Sequence, residues 1–385
     1  MITNDEIPTT TQTQNIDTTA RVFLAADFGG IGTKAFYVSS ESQKVKSIFM
    51  GPEIAEVDTE SLNRFQESSI TENNAEYRAW CGFQGSYRAV GALAENYFSA
   101  SSLLKPLKYE QAIFKVLALL WVIKVKCNLP SNFRISLSLL IPPGEYDDRS
   151  VLEKILRQTS VAFDTPSGVM SVEMDEFDCQ PEGKGILVGL SKVPGLAIKT
   201  DTVSLVMIGY RNASLIVLRK GEAIKKITSD LGMNTMVNLV KSRSSQNTPL
   251  STLVPAIVEA GNDAKAEALT YLIRTSFVAL KEHELHQLQE AILSSRKEYS
   301  SILLTWINEN VPLSKQWIAY CGGTAQYLRL ELDDFAVKQG WDTIWHGGNI
   351  KIPSELDPLQ LKMRLNDIFI YFNGSRKKWE KYLNS

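Results

Sequence analysis

Histidine and cysteine are scarce in this chain, three and four among 385 residues, which leaves few soft metal ligands. Cys81, Cys127, Cys179 and Cys321 lie far apart and form no CxxC. With no secretory segment at the start, they read as reduced, partly buried thiols of a cytoplasmic protein. His283 and His286 stand at i, i+3 beside Glu282 and Glu284, but His346 is the only other histidine and no third ligand has metal spacing. A solvated helix face accounts for the pair better than a metal site does. Long apolar runs are missing too. The most apolar stretch, Ala112 to Val125, is interrupted by Lys115 and Lys124 and is too short to cross a bilayer, so the chain reads as soluble, with no membrane contact. Charge of one sign is absent, 41 basic residues against 43 acidic, and direct binding to nucleic acid is not expected. Residues 1–20 hold almost nothing to bury and are expected to be a disordered tail.

What is present points to two domains, because the chain is longer than a single core usually grows. The informative stretch is Arg21 to Ser39, RVFLAADFGGIGTKAFYVS. Two β-rich runs flank Gly29, Gly30 and Gly32, and glycines reach the backbone angles a tight turn needs, so the stretch reads as a hairpin. An acid, Asp27, stands at its entrance, and Thr33 and Lys34 at its exit. A glycine loop offers closely spaced N–H groups to an anion, and an Asp at a strand end can hold hydrated Mg²⁺ beside phosphates. An ordinary turn reads equally well from this stretch alone. It is not a P-loop, because the spacing before Lys34 differs and no helix follows, and a dinucleotide fingerprint fails for the same reason.

Further on, Ser47 to Ala55 reads as a further strand ending in a turn, and residues 56–90, with Trp80, Phe83 and Tyr87, as a small appended subdomain whose aromatics pack rather than stack on bases. Tyr109 to Lys126 is apolar around most of a helix, which implies burial between layers. The strand Phe133 to Ile141 runs into IPPGEYDDR, where Asp147 or Asp148 is placed to cap the next helix, Val151 to Gln158, and Glu145 is left free of that duty. Ser171 to Phe177 is a strand and Gln180 to Ser191 a turn and short helix. Thr202 to Leu218 repeats the first hairpin's layout, with Gly209, Arg211, Asn212 and Ser214 in its turn, which suggests a duplicated fold with a cleft between the halves. Residues 242–265 read as loop, followed by helices at about 264–280 and 282–309. QWIAYCGGTAQYL reads as a strand, a Gly322–Gly323 turn and a helix from about Thr324, a place where a ligand can approach bare backbone.

Taken in order, DFGGIGTK, MIGYRNAS and CGGTAQYL resemble the phosphate-1, phosphate-2 and adenosine motifs of the actin-like ATPase superfamily. IPPGEYDDR and SDLGM look like elements of its ParM/StbA plasmid-segregation branch. The resemblance covers nearly everything from residue 21. It implies an α/β, actin-like (ribonuclease H-like) duplicated two-domain fold with a nucleotide cleft between the domains. Domain I would be 21–195, with subdomain IB at about 45–90, domain II would be 196–345, and 346–385 would return to domain I through a strand and helix between Leu361 and Leu383.

Carried over residue by residue, the resemblance gives Asp27 as the holder of Mg²⁺ through water, and Gly29, Gly30, Gly32, Thr33 and Lys34 as the phosphate cradle. Gly209, Asn212 and Ser214 form the second phosphate turn, Gly322, Gly323 and Thr324 back the adenosine, with Tyr327 nearby, and Glu145 orients the attacking water. The implied cofactors are ATP (or GTP) and Mg²⁺. The implied activity is slow hydrolysis controlling a homopolymer filament that segregates DNA through a DNA-binding adaptor protein. Where the family's second hairpin usually begins with Asp, this chain has Met207, and that departure keeps open a nucleotide-gated scaffold without hydrolysis. A sugar or acid kinase of the same superfamily lacks any accompanying signature, and an Hsp70-type chaperone would need a further domain.

Overall fold

The computed structural model describes residues 19–68, 74–100, 108–245, 247–314 and 316–383, so all of the expected tail but Thr19 and Ala20 lies outside the described residues. The first nine strands are β1 (Arg21–Gly29), β2 (Gly32–Ser39), β3 (Lys46–Met50), β4 (Ile54–Val57), β5 (Trp80–Phe83), β6 (Ser86–Val90), β7 (Asn132–Ile141), β8 (Phe163–Thr165) and β9 (Gly168–Pro181). They form a sheet of order β3-β2-β1-β7-β9-β8-β5-β6-β4. The remaining strands, β10 (Thr202–Ile208), β11 (Ala213–Arg219), β12 (Glu222–Ser229), β13 (Trp317–Cys321) and β14 (Asp342–Trp345), form a second sheet of order β12-β11-β10-β13-β14.

The duplication suggested by two glycine hairpins is a duplication of topology. In the first sheet β1, β2 and β3 are an antiparallel meander, with β7 parallel to β1 and β9 parallel to β7. In the second, β10, β11 and β12 repeat the meander, with β13 parallel to β10 and β14 parallel to β13. β5, β6, β4 and β8 extend the first sheet only, an appendage at its far edge.

Strand alternation explains how each sheet is covered. Along β1, Val22, Leu24, Ala26 and Phe28 face a core shared with the helix Lys108–Cys127, whereas Phe23 and Ala25 face the helix Asn366–Leu383. Phe23 lies 5.4 Å from the Phe372 ring and 5.8 Å from that of Trp379. Along β10, Val206 and Ile208 face the long helix Val278–Asn310 and its neighbours. Val203 and Leu205 face the short helix Lys184–Leu190. The short helix follows a first-sheet strand yet packs on the second sheet, and the closing helix does the reverse. The two cross where a Cβ on Gly185 would stand 2.0 Å from the Asp367 carbonyl oxygen, so only glycine fits.

Several sequence expectations are corrected. Ser47 to Ala55 is two strands, β3 and β4, separated by Gly51–Glu53. Residues 242–265 contain the helix Leu250–Ala260, with Leu253, Ala256, Ile257 and Ala260 buried at helical spacing around Pro255. The expected helix at 264–280 reduces to Ala266–Leu269 and a single 3₁₀ turn. No strand lies within 361–383 among the described residues. The chain returns to the first half through the helix Asn366–Leu383, after the 3₁₀ turn Lys362–Leu365; the strand before it, β14, pairs with β13 in the second sheet. Asp148 stands at the N-cap of the helix Arg149–Thr159 but makes no side-chain cap bond. His283 and His286 are exposed on the long helix, and no group of three or more His, Cys, Asp or Glu among the described residues could hold a metal ion.

Candidate functional site

The two glycine hairpins meet tip to tip. A Cβ on Gly30 would lie 3.4 Å from the Tyr210 ring and 3.6 Å from Arg211 Cβ. Between and beside the tips is a cavity of about 1090 Å³, lined by Asp27, Gly29, Gly30 and Lys34 from the first hairpin and Gly209, Asn212 and Ser214 from the second. Gly322, Gly323 and Thr324 line it as well. Residues read as one site from three distant segments are thus brought to one space. Its second-hairpin side is tied together by backbone: Gly209 N–H donates to Asn212 O, while Gly209 O accepts from Met233 N–H and from the Thr324 hydroxyl, the last at 2.8 Å. Gly322, at φ +100°, passes so close to Ile208 that a Cβ would stand 2.3 Å from its carbonyl oxygen.

Asp27 and Lys34 are a directly opposed cross-strand pair, and the ammonium donates to Asp27 Oδ2 at 2.5 Å with both residues only 8% exposed. Asp27 Oδ1 is buried with no hydrogen-bond partner among the described residues, and so is Asn212 Oδ1. Unsatisfied buried oxygens are costly, and both of these belong to residues that line the cavity. Among the described residues the lining carries six acids and four cations. With Asp367 and Glu53 both raised to about 7, the charges of the lining come close to balance near neutral pH.

Four of the expected residues are not among those lining the cavity: Gly32, Thr33, Glu145 and Tyr327, whose ring lies instead 4.3 Å from the Arg296 guanidinium. Gly32 instead makes room for packing, since its Cβ would meet the Phe49 ring at 2.4 Å. Thr33 is buried with its hydroxyl unpartnered among the described residues. Glu145 is half-buried on the 3₁₀ turn Pro143–Asp148. This turn lies against β12: a Cβ on Gly144 would be 3.7 Å from Thr228 Oγ1, which is itself 3.0 Å from Ser214 Oγ. The turn that carries Glu145 thus reaches, through Thr228, the strand residue Ser214 that lines the cavity. Met207 does line the cavity, so the second hairpin contributes a thioether to the floor where the first contributes a carboxylate.

The structure adds residues that sequence reading missed. Asp367, second residue of the closing helix, accepts from Gly183 N–H at 2.6 Å and Ile186 N–H at 3.0 Å and lines the cavity. Burial, with Asp27 and Glu182 nearby, pushes its carboxyl up to about 7 against the pull of those two N–H groups. Glu53, in the turn after β3, is pushed up to about 7 by burial, with Glu95 adding to the effect and Lys115 opposing it. Arg364 flanks Gly323, and Leu250, Val254 and Val258 give the cavity an apolar wall. Cys321 lines the floor too, but burial raises its thiol well above the usual range, so it stays protonated and un-nucleophilic. Only the helical spacing of Leu250, Val254 and Val258 was visible in sequence. The carboxylates come together through tertiary contact.

No family model matches the chain, and no curated protein sequence matches it. Solved structures do. A subunit of a 15-stranded ParM filament from Clostridium botulinum superposes with a TM-score of 0.61 at 17% identity, over 93% of this chain and 99% of that one. An archaeal actin homologue gives 0.59 at 13% identity, over 92% and 99%. The chain has the actin-like fold. A Bacillus thuringiensis ParM hybrid protein with ADP shares this fold at a TM-score of 0.56 and 14% identity, over 95% of this chain and 49% of that one. In the actin-like chain described here, no helix among the described residues is long and apolar enough to cross a membrane, and all four cysteines are free.

Proposed function

We propose that this chain binds a nucleoside triphosphate, ATP (or GTP), with Mg²⁺ in the shared cavity, and that the bound nucleotide controls assembly of the chain into a homopolymer filament. The observation that carries the reading is the meeting of two glycine hairpins around one space that the Asp27–Lys34 pair also lines. Backbone N–H groups of Gly29 and Gly30, with the Lys34 ammonium, suit phosphate oxygens, while Gly209, whose N–H is bonded to Asn212 O, lets the second turn approach closely. Asp27 suits a cation's coordinated water, and Gly322, Gly323 and Thr324 let a nucleoside lie against backbone. A bound Mg²⁺ would neutralise phosphate charge. Because the cavity is lined from both halves, a ligand gripping both hairpins favours their closed arrangement. A coupling of about 1–3 kcal/mol is enough to switch assembly. Head-to-tail addition of identical subunits gives an open filament. Its use in DNA segregation through a DNA-binding adaptor protein extends the same reading.

Slow hydrolysis with Glu145 orienting the water is one version. A scaffold that binds without hydrolysing is the other, and two observations favour it: Met207 in the floor and Glu145 outside the cavity lining. Sedimentation with ATP, GTP and a non-hydrolysable analogue tests assembly, and nucleotide-dependent pelleting is expected. Calorimetry showing no heat with either nucleotide would overturn the binding reading. Phosphate release separates hydrolysis from gating, with Met207→Asp raising a slow rate but leaving a pure scaffold inert.

A further inference from the structure

The two halves treat equivalent positions differently. Alternation along β1 puts Asp27 on the face of Phe23 and Ala25, the face covered by the closing helix that begins Asn366–Asp367. Alternation along β10 puts Met207 on the face of Val203 and Leu205, the face covered by the short helix entered through Gly183. By topology, Met207 is the counterpart of Asp27. Its thioether lies against Gly183, where a Cβ would be 2.6 Å from Met207 Sδ. The Gly183 N–H is the group that donates to Asp367 Oδ2. A carboxylate from the other half's helix thus stands one backbone unit from the thioether, on the same cavity floor.

Resting on the nucleotide reading above, we propose that Asp367 is a positioning residue that supplies the negative charge Met207 lacks, so that Asp27 and Asp367 together hold the hydrated divalent cation accompanying the nucleotide. Each carboxylate has spare capacity. Asp27 is only 8% exposed and its Oδ1 is unpartnered among the described residues, while two N–H bonds use about half of Asp367's roughly four acceptor sites. Asp367, half-buried, lies within electrostatic reach of Asp27, whose Oδ2 the Lys34 ammonium already engages, and a hydrated cation beside the pair relieves the repulsion that remains. Too few protein ligands converge for a direct cage. The pair acts through coordinated water and the phosphate oxygens, the usual habit of Mg²⁺.

The probe is Mn²⁺, titrated into the full chain saturated with a non-hydrolysable triphosphate, with free Mn²⁺ read by electron paramagnetic resonance. Asp367→Asn is expected to weaken Mn²⁺ binding about 10- to 100-fold, and adding Met207→Asp to that variant should recover most of the loss. Rescue by charge at the neighbouring position separates this role from a merely structural cap. Unchanged Mn²⁺ affinity in Asp367→Asn, or no recovery in the double variant, overturns the proposal. If Asp367→Asn does not fold, Met207→Asp alone decides. A gain below about threefold supports a floor that already has its second charge, and a gain of about 10-fold or more overturns it. Wild-type protein that binds no nucleotide would instead sink the nucleotide reading itself.

Discussion

Glu53 gives a pH dependence that the fold itself dictates. The residue is 6% exposed in the turn after β3, its Oε2 has no partner among the described residues, and its backbone oxygen accepts from Gly91 N–H. Burial raises its carboxyl from 4.5 to about 7, so the folded chain holds the proton more tightly than the unfolded chain does. The sign follows. Below pH 4.5 both states are protonated and the site costs nothing. Between 4.5 and about 7 the folded state loses stability with each step of pH, and above 7 the loss levels off. At about 1.4 kcal/mol per pH unit the ceiling is ~3 kcal/mol, and ~2 kcal/mol is expected because the cavity admits water. Glu53→Gln removes the charge but keeps the shape. Urea unfolding of both proteins between pH 4.5 and 8.5 should give similar stabilities at the acid end and a variant more stable by ~2 kcal/mol at the alkaline end. Other titrating groups cancel in the difference. Parallel curves over the whole range would refute a buried, desolvated carboxyl at this position.

Gly185→Ala should lose several kcal/mol of stability and disturb ligand binding together, because its methyl would strike backbone at the helix crossing rather than a movable side chain. Thermal melting and nucleotide calorimetry on the same sample check it, and near-wild-type values in both would be the contrary result. Arg296, 5% exposed, makes two bonds to Glu331 and one to Tyr327 O, with its guanidinium 4.3 Å from the centroid of the Tyr327 ring. Glu331→Gln should cost about 3–5 kcal/mol by stranding the guanidinium, and combining it with Arg296→Met should recover much of that in urea unfolding. No recovery in the pair would show that packing, not charge, dominates there.

The elements that were legible in sequence carry their signal locally. The β1–β2 hairpin announced itself through three glycines between alternating runs, and Lys108–Cys127 through an apolar surface wide enough to need a cover on most sides. Leu250–Ala260 hid behind Pro255 and a polar approach, although its buried residues keep helical spacing. β14 is four residues long, too short for a pattern to accumulate. At the site, the hairpin and Gly322–Thr324 segments were readable because turns need particular residues. Asp367 was not, because what matters about it is a pair of bonds to Gly183 and Ile186, formed only when helices from the two halves cross. Gly32 carries a second reason for being glycine that the motif did not announce: a side chain there would strike the Phe49 ring.

The crossing at Gly185 and Asp367 also sets the mechanics of the molecule. The contact is backbone against backbone, laced by the Asp367 carboxylate, and Asp367 lines the cavity that Glu53 and the Leu250–Ala260 helix border from other elements. A contact that close leaves the two helices no room to slide past each other, so any change of angle between the halves would turn about it, as the arms of a pair of tongs turn about their rivet.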